Sequence, residues 1–309
     1  MDIPSQMLKR GEKMEGLSNL GVVKDLLQRY GFTFSKGLGQ NFLINPGVCP
    51  RMAELGNAQP GWGILEIGPG FGVLTHELAK RADKVVAVEV DPRLPPILQE
   101  TLGEHTNVQV VQGDVLKLDL HRLIQEQFEG MPVGICANLP YYITSPIVMA
   151  VLEQRLPIRS LTVMVQKEAA QRICAQPGTR QVGAVSLAVR YYSEPKVLFS
   201  VSRGSFYPAP EVDSSVIRLD IRQTPPVQVQ DEALLFRVIR GAFSQRRKTL
   251  SNTLSSSLSL PKGNVQELLS QAGVAPTARA EELQLEDFAR IADVLALDRK
   301  KGEPGASNL

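Results

Sequence analysis

Asn138, Leu139, Pro140 and Tyr141 set an amide, a rigid ring and an aromatic face side by side at the end of an apolar run. These are the parts needed to hold a planar amine. Upstream, Gly68, Gly70 and Gly72 follow the apolar run Ile64 to Ile67, and Glu89 ends the next such run. Glycines at a strand-to-helix crossover let the backbone approach a ligand, and an acidic residue about 20 positions on can take both ribose hydroxyls. The loop reads GxGxG rather than the dinucleotide GxGxxG, and Pro69 stiffens it. That spacing characterises S-adenosylmethionine enzymes. Asp114, in Gly113-Asp114-Val115 after the third run, is placed to accept a hydrogen bond from the cofactor's adenine amine; alone it reads as a loop or N-cap residue.

The quartet then acquires a chemistry. An exocyclic adenine amine is a poor nucleophile, because its lone pair is delocalised into the ring. The Asn138 side-chain oxygen and a backbone carbonyl at Leu139 or Pro140 offer two acceptors to its N–H groups and favour a pyramidal nitrogen, its lone pair aimed at the sulfonium methyl. Tyr141 stacks on the base, an interaction worth ~1–3 kcal/mol. No general base is required, since the proton leaves after the methyl has transferred, so catalysis is positioning plus electrostatics.

The elements that must position these residues follow from the hydrophobic pattern. Between 64 and about 201, apolar runs alternate with helical segments, the α/β signature. Strands are expected at Ile64 to Ile67, Val85 to Val90, Val108 to Val111, Val133 to Ala137, Leu161 to Val165 and Val197 to Val201. Several are rich in β-branched residues and unbroken enough to be buried on both faces of a Rossmann-like, mostly parallel, doubly wound sheet. The alternating segment Val216 to Ile221 reads as a last strand, antiparallel, at the end of that sheet. Pro225 and Pro226 mark a linker, after which Leu235, Ile239 and Phe243, and later Leu285, Phe288, Ile291, Ala292 and Leu295, describe amphipathic helices. The expected domains are an N-terminal arm (1–30) with a short helical pattern, a methyltransferase domain (31–223), a helical C-terminal domain (224–298) and a flexible tail (299–309).

At 309 residues and 43% hydrophobic, the chain suits one large core plus a small second one. Its 34 basic and 32 acidic residues give a net charge of +2, too small to announce nucleic-acid binding. Cys49, Cys136 and Cys174 lack metal-ligand or disulfide-framework spacing, so no metal is expected and a reducing cytoplasm fits. The first thirty residues hold no apolar signal region, and no later run approaches the ~18 residues of a membrane span. His76, His105 and His121 sit in no motif.

An ordered set of segments closely resembles the bacterial ribosomal RNA small-subunit adenine dimethyltransferases, the KsgA family, from Gly31 to about Leu295. The set is Leu38-Gly39-Gln40-Asn41-Phe42-Leu43, Glu66-Ile67-Gly68-Pro69-Gly70, Glu89-Val90-Asp91, Asn138-Leu139-Pro140-Tyr141, Gln166-Lys167-Glu168 and Phe206 through Ser214. The resemblance implies that Asn41 and Leu43 line the methionine end of S-adenosylmethionine, Gly68 contacts it by its backbone, Glu89 takes the ribose, Asp114 the adenine, and Asn138 completes the site beside the methyl. It further implies that Phe206 stacks the flipped target base opposite Tyr141. The implied substrate is a pair of adjacent adenines in the 3′-terminal hairpin of small-subunit (16S) rRNA, within an immature 30S subunit, and the implied state is a monomer. Many relatives carry Asn where this chain has Tyr142, a change that leaves the acceptors untouched.

No Asp or Glu occurs from Ala233 through Gln266, whereas Arg237, Arg240, Arg246, Arg247, Lys248 and Lys262 do. On a helical wheel Arg237, Arg240, Arg247 and Lys248 fall on one side and Leu235, Ile239 and Phe243 on another. The expectation is a helix with one packed face and one facing RNA phosphates. Three rival readings remain: a large-subunit (23S) rRNA methyltransferase conferring antibiotic resistance, a nicotinamide dehydrogenase, and an assembly factor that acts by binding alone.

Overall fold

The computed structural model describes residues 16–33 and 40–302, so Leu38 and Gly39 of the first quoted segment lie outside the described residues. The chain runs through α1 (Leu20–Arg29), β1 (Phe42–Leu43), α2 (Val48–Leu55), β2 (Gly63–Ile67), α3 (Val73–Ala79), β3 (Lys84–Glu89), α4 (Pro95–Leu102), β4 (Val108–Gln112), α5 (Leu120–Phe128) and β5 (Val133–Asn138). It continues through a 3₁₀ turn (Tyr141–Ile143), α6 (Thr144–Glu153), β6 (Ser160–Gln166), α7 (Lys167–Ile173), α8 (Ala184–Tyr192), β7 (Ser193–Val201), β8 (Phe206–Tyr207) and β9 (Ser214–Ile221). Four helices end it: α9 (Glu232–Ala242), α10 (Leu250–Leu258), α11 (Lys262–Gln271) and α12 (Leu285–Gly302).

Seven strands form one sheet in the order β4-β3-β2-β5-β6-β9-β7. The pairs β3/β4, β2/β3, β2/β5 and β5/β6 are parallel. All five residues of β2 are buried, as expected for a strand covered on both faces. Strand order reverses between β2 and β5, and open α/β sheets bind ligands beyond the carboxyl ends of strands at such a point.

The last strand is antiparallel, from Ser160↔Asp220 to Gln166↔Ser214, but it does not lie at the end of the sheet. β9 is inserted between β6 and β7, which leaves β7 at the edge. The physical reason is legible in side chains. β9 buries Ser214, Ser215, Val216, Ile217 and Leu219, whereas β7 is largely exposed and contains Pro195 and Lys196, residues suited to an edge.

The chain divides into two compact units. One runs to Ala170 and resumes over Glu194–Ile221; the other takes Gln171–Ser193 and the chain from Arg222 onward. Segment 171–193 thus groups with the C-terminal helices, not with the methyltransferase domain drawn as 31–223. Tyr191 and Tyr192 at the end of α8 donate hydrogen bonds to the two carboxylate oxygens of Glu232, at 2.9 and 3.0 Å, and their rings pack against Phe236 at 5.1 and 5.4 Å. Hydrophobic periodicity gives no sign of such a long-range aromatic cluster.

Within the first unit, α1 belongs to the arm expected over 1–30, and it buries Val23 and Leu26 in a cluster with Phe32, Phe42, Phe71 and Leu98. The second unit buries Leu234, Leu235, Val238 and Ile239 of α9 against α10 and α12. α9 opens on Asp231, whose carboxylate accepts from the Leu234 N–H at 3.0 Å, a side-chain cap. It stops at Ala242. The Ser244 hydroxyl and N–H both donate to the Gly241 carbonyl, drawing the chain out of the helix, and α10 starts afresh after Thr249. Arg246, Arg247 and Lys248 therefore sit in a connecting turn, and the single-helix face drawn through Arg237, Arg240, Arg247 and Lys248 is not formed. The tail expected from 299 begins as helix, since α12 extends to Gly302. Among the described residues, no helix is long and apolar enough to cross a membrane.

Candidate active site

The glycine loop after β2 is built from backbone conformations that side-chain-bearing residues rarely adopt. Gly68, Gly70 and Gly72 have φ of +70°, +59° and +86°. The Gly68 N–H donates to the Val88 carbonyl of β3 at 2.9 Å, and the Gly72 N–H to the Pro69 carbonyl at 2.9 Å, so the loop is locked to the neighbouring strand before α3 begins. A Cβ at Gly70 would meet the Phe42 ring at 3.1 Å, so the loop also packs closely on β1.

These elements enclose a cavity of about 1010 Å³, its open mouth included. Asn41, Leu43, Gly68, Glu89, Asn138, Leu139, Pro140, Tyr141 and Phe206 all line it. Asp114 does not. It heads the turn after β4, where its carboxylate accepts from the Leu116 N–H at 3.0 Å and meets Lys117 Nζ at 3.4 Å, the bonding of a turn residue. The exposed cations Arg237, Arg240, Arg246, Arg247 and Lys248 belong to the other unit and form no part of this lining.

Two short strands that hydrophobic periodicity did not reveal join the two ends of the first unit's sequence. β1 pairs antiparallel with β8, Leu43 opposite Phe206 and Phe42 opposite Tyr207. The Ile44 N–H donates to the Ser205 carbonyl at 2.8 Å, and the Asn45 amide to the Ser205 hydroxyl at 3.1 Å. This ribbon is how Leu43 and Phe206, far apart in sequence, reach one cavity wall.

Asn138 is the last residue of β5 and pairs with Met164 of β6. The Leu139 N–H donates to the Met164 carbonyl at 3.3 Å, and Leu139 is buried. The Pro140 carbonyl accepts from the Ile143 N–H at 3.2 Å and the Thr144 hydroxyl at 3.3 Å, which closes the 3₁₀ turn. Half-buried Tyr141 shares a hydrogen bond with the Ser214 hydroxyl at 2.7 Å, which fixes its ring; burial raises its phenol above the ordinary value. Tyr142, its neighbour, is 57% exposed at the mouth.

Two carboxyl groups line the cavity. Glu89 is buried; its carboxylate oxygens accept from the Asp91 N–H at 2.8 Å and the Gly70 N–H at 3.3 Å, and desolvation holds its pKa above the usual carboxylate range. Glu66, also lining the cavity, is 1% exposed. Its Oε2 has no hydrogen-bond partner among the described residues, and burial, helped by the nearby Glu89 charge, raises its pKa to about 8. Sequence reasoning gave Glu66 no role. The available signal was a lone acid inside the otherwise apolar run Ile64 to Ile67. Cys49 also lines the cavity as a buried thiol with its pKa pushed up by desolvation, the opposite of an activated nucleophile. Among the described residues, no group of three or more His, Cys, Asp or Glu is arranged to hold a metal ion.

Comparison with known proteins matches residues 31–297 to the family described as ribosomal RNA adenine dimethylase. The chain is 49% identical to ribosomal RNA small subunit methyltransferase A of Alkaliphilus oremlandii over 284 residues, covering 92% of this chain and 99% of that one. It is 47% identical to the protein of the same name from Bacillus cytotoxicus, covering 93% and 100%. Among solved structures, the 23S rRNA methyltransferase ErmE is 30% identical with a TM-score of 0.64, covering 83% of this chain and all of that one. A dimethyladenosine transferase from Plasmodium falciparum shares the fold, with a TM-score of 0.68 at 24% identity, covering 84% and 98%.

Proposed function

The chain belongs to the ribosomal RNA adenine dimethylase family, and from that premise we propose that it converts two adjacent adenines in the 3′-terminal hairpin of small-subunit rRNA to N6,N6-dimethyladenosine. The observation that carries this reading is the meeting of the Asn138–Tyr141 turn, the glycine loop and Glu89 in one cavity at the strand-order reversal.

The cavity's chemistry suits S-adenosylmethionine, which when bound supplies an electrophilic methyl on a sulfonium. Glu66, buried with an unpartnered Oε2, offers this cavity a hydrogen-bonding group for a polar ligand. Glu89 is offered to the ribose, and the Gly68 backbone, Asn41 and Leu43 to the methionine end; Asp114, bonded as a turn residue outside the lining, is given no part. Asn138 accepts one N–H of the target amine. Because the Pro140 carbonyl already accepts two hydrogen bonds, the Leu139 carbonyl is the second acceptor of choice. Tyr141, held by Ser214, stacks on the flipped base, with Phe206 on the same wall as Leu43. The reaction then needs no base, only an amine held pyramidal at the right distance.

The exposed cations at Arg237, Arg240, Arg246, Arg247 and Lys248 are assigned to nonspecific phosphate contacts with the immature 30S subunit, and the enzyme is read as a cytoplasmic monomer. This assigns the two units distinct work, chemistry to the first and RNA docking to the second. Identity of 47–49% to small-subunit enzymes against 30% to a 23S enzyme supports the small-subunit substrate.

The deciding experiment supplies methyl-labelled S-adenosylmethionine with either unmodified small subunits or protein-free large-subunit rRNA, then digests and chromatographs the nucleosides. Labelled N6,N6-dimethyladenosine from the small subunit alone is expected. Label in the large-subunit RNA would make the chain a resistance methyltransferase, and no label in either would leave an assembly factor.

A further inference from the structure

Asp91 is 2% exposed and follows Glu89 by two residues, yet it does not line the cavity, whereas Gln40, Asn41, Glu89 and Val90 do. Its carboxylate is heavily committed. Oδ2 accepts from Gln40 Nε2 at 2.9 Å and Arg93 Nη2 at 2.6 Å; Oδ1 accepts from Arg93 Nε at 2.8 Å and the Arg93 N–H at 3.1 Å. Four donors fill the acceptor capacity of an ionised carboxylate, so none is left for a ligand. The paired Arg93 holds the Asp91 pKa below its ordinary value, which keeps those acceptors charged at neutral pH.

The connections run to both sides of the cofactor cavity. The Asp91 N–H donates to Glu89 Oε1 at 2.8 Å and so orients the carboxylate offered to the ribose. The bond from Gln40 fixes the residue directly before Asn41. Arg93, forked onto Asp91, donates through Nη1 to the Thr33 carbonyl at 3.1 Å and lies over the Phe32 ring at 4.4 Å. Phe32 in turn meets Phe42 and Phe71 edge-on at 6.1 and 5.6 Å, and those two rings, stacked at 3.9 Å, line the cavity.

We propose that Asp91 is a positioning residue: with Arg93 it ties Gln40–Asn41 to Glu89, so that the groups for the methionine and ribose portions of the cofactor are held at a fixed spacing. This rests on the assignment of the cavity to S-adenosylmethionine. A fixed spacing lowers the ordering cost of binding, and it acts on the cofactor alone, before any RNA arrives.

Asp91→Asn keeps the shape and one acceptor but loses the charge and the matched fork to Arg93. Calorimetric Kd for S-adenosylmethionine and for S-adenosylhomocysteine is expected to rise about tenfold, the loss typical of weakening charge-assisted bonds. Steady-state kinetics should show the cofactor KM rising with kcat at saturation, and KM for the small subunit, within twofold of wild type. Should Asp91→Asn fold poorly, Arg93→Lys is the second test: its side chain is 43% exposed, and the substitution removes the fork and the Phe32 stack while keeping the charge. Unchanged cofactor affinity in either folded variant overturns the inference, as does an equal rise in both KM values. A wild-type protein that binds no S-adenosylmethionine would instead overturn the cofactor assignment on which it rests.

Discussion

The cavity of the first unit and the basic segment of the second place polar groups in opposite surroundings. In the cavity, Asn138 and Glu89 stand at strand ends, Tyr141 in a turn held by its bond to Ser214, and Glu66 inside β2, all among buried apolar side chains. In the basic segment, Arg237 and Arg240 project from α9, and Arg246, Arg247 and Lys248 from the turn after it, all exposed. A buried group acts strongly because little solvent screens it, and losing it is not shared by neighbours. An exposed cation is screened and replaceable, so its contribution is small and additive. The proposed chemistry and the proposed docking thus call for different kinds of substitution experiment.

The sharpest break should come at Asn138. Asn138→Ala removes a preorganised acceptor and is expected to lower kcat about 10²–10³-fold, with subunit binding retained, as read by labelled-methyl turnover and subunit pull-down. Turnover like wild type would show that the buried turn does not hold the amine.

Glu66 tests the electrostatics of the same cavity without ligand. Its pKa is raised to about 8 when folded and lies near 4.3 when unfolded, so the native state binds more protons between those values. Stability from this group is therefore fully present below about pH 4 and lost as pH rises towards 8. Glu66→Gln should be more stable than wild type at pH 8, on the order of a few kcal/mol, with the difference shrinking towards pH 5. Urea denaturation at the two pH values reads this directly; a difference independent of pH would mean that Glu66 is ionised throughout.

Tyr141 lies between the extremes. Tyr141→Ala should cost ~1–3 kcal/mol in kcat/KM through lost stacking, whereas Tyr141→Phe, which loses only the Ser214 bond, should recover most of it. Failure of Phe to rescue would shift the role from ring to hydroxyl.

The smallest effects belong to the second unit. Replacing Arg237, Arg240, Arg246, Arg247 and Lys248 singly by Gln should weaken RNA affinity by no more than about 1 kcal/mol each. Replaced together, they should flatten the plot of log affinity against log salt by ~0.7–0.9 for each phosphate no longer neutralised. An unchanged slope would remove the segment from the docking surface.

Much of this division was already legible in residue order. Unbroken apolar runs located six strands of the main sheet within a residue or a few of their observed ends, and GxGxG, Glu89 and Asn138 stood at strand ends where a doubly wound sheet collects its ligands. The basic segment was visible as an acid-free stretch, yet its placement on a single helix face was wrong, because a helical wheel cannot see the Ser244 bonds that end α9 at Ala242.

What the sequence by itself determined is what local periodicity and motif spacing encode: the α/β class, the strand-end site, the family and the chemical character of its residues. Tertiary structure alone decided the rest. It placed β9 inside the sheet, because that choice buries Val216, Ile217 and Leu219 and leaves Pro195 at an edge. It moved 171–193 to the helical unit through Glu232, and it joined Leu43 to Phe206 in a two-residue ribbon. It also raised the pKa of Glu66 by stripping it of water. Each depends on contacts between residues far apart in the chain, and burial and pairing at that range leave no period in the sequence to read.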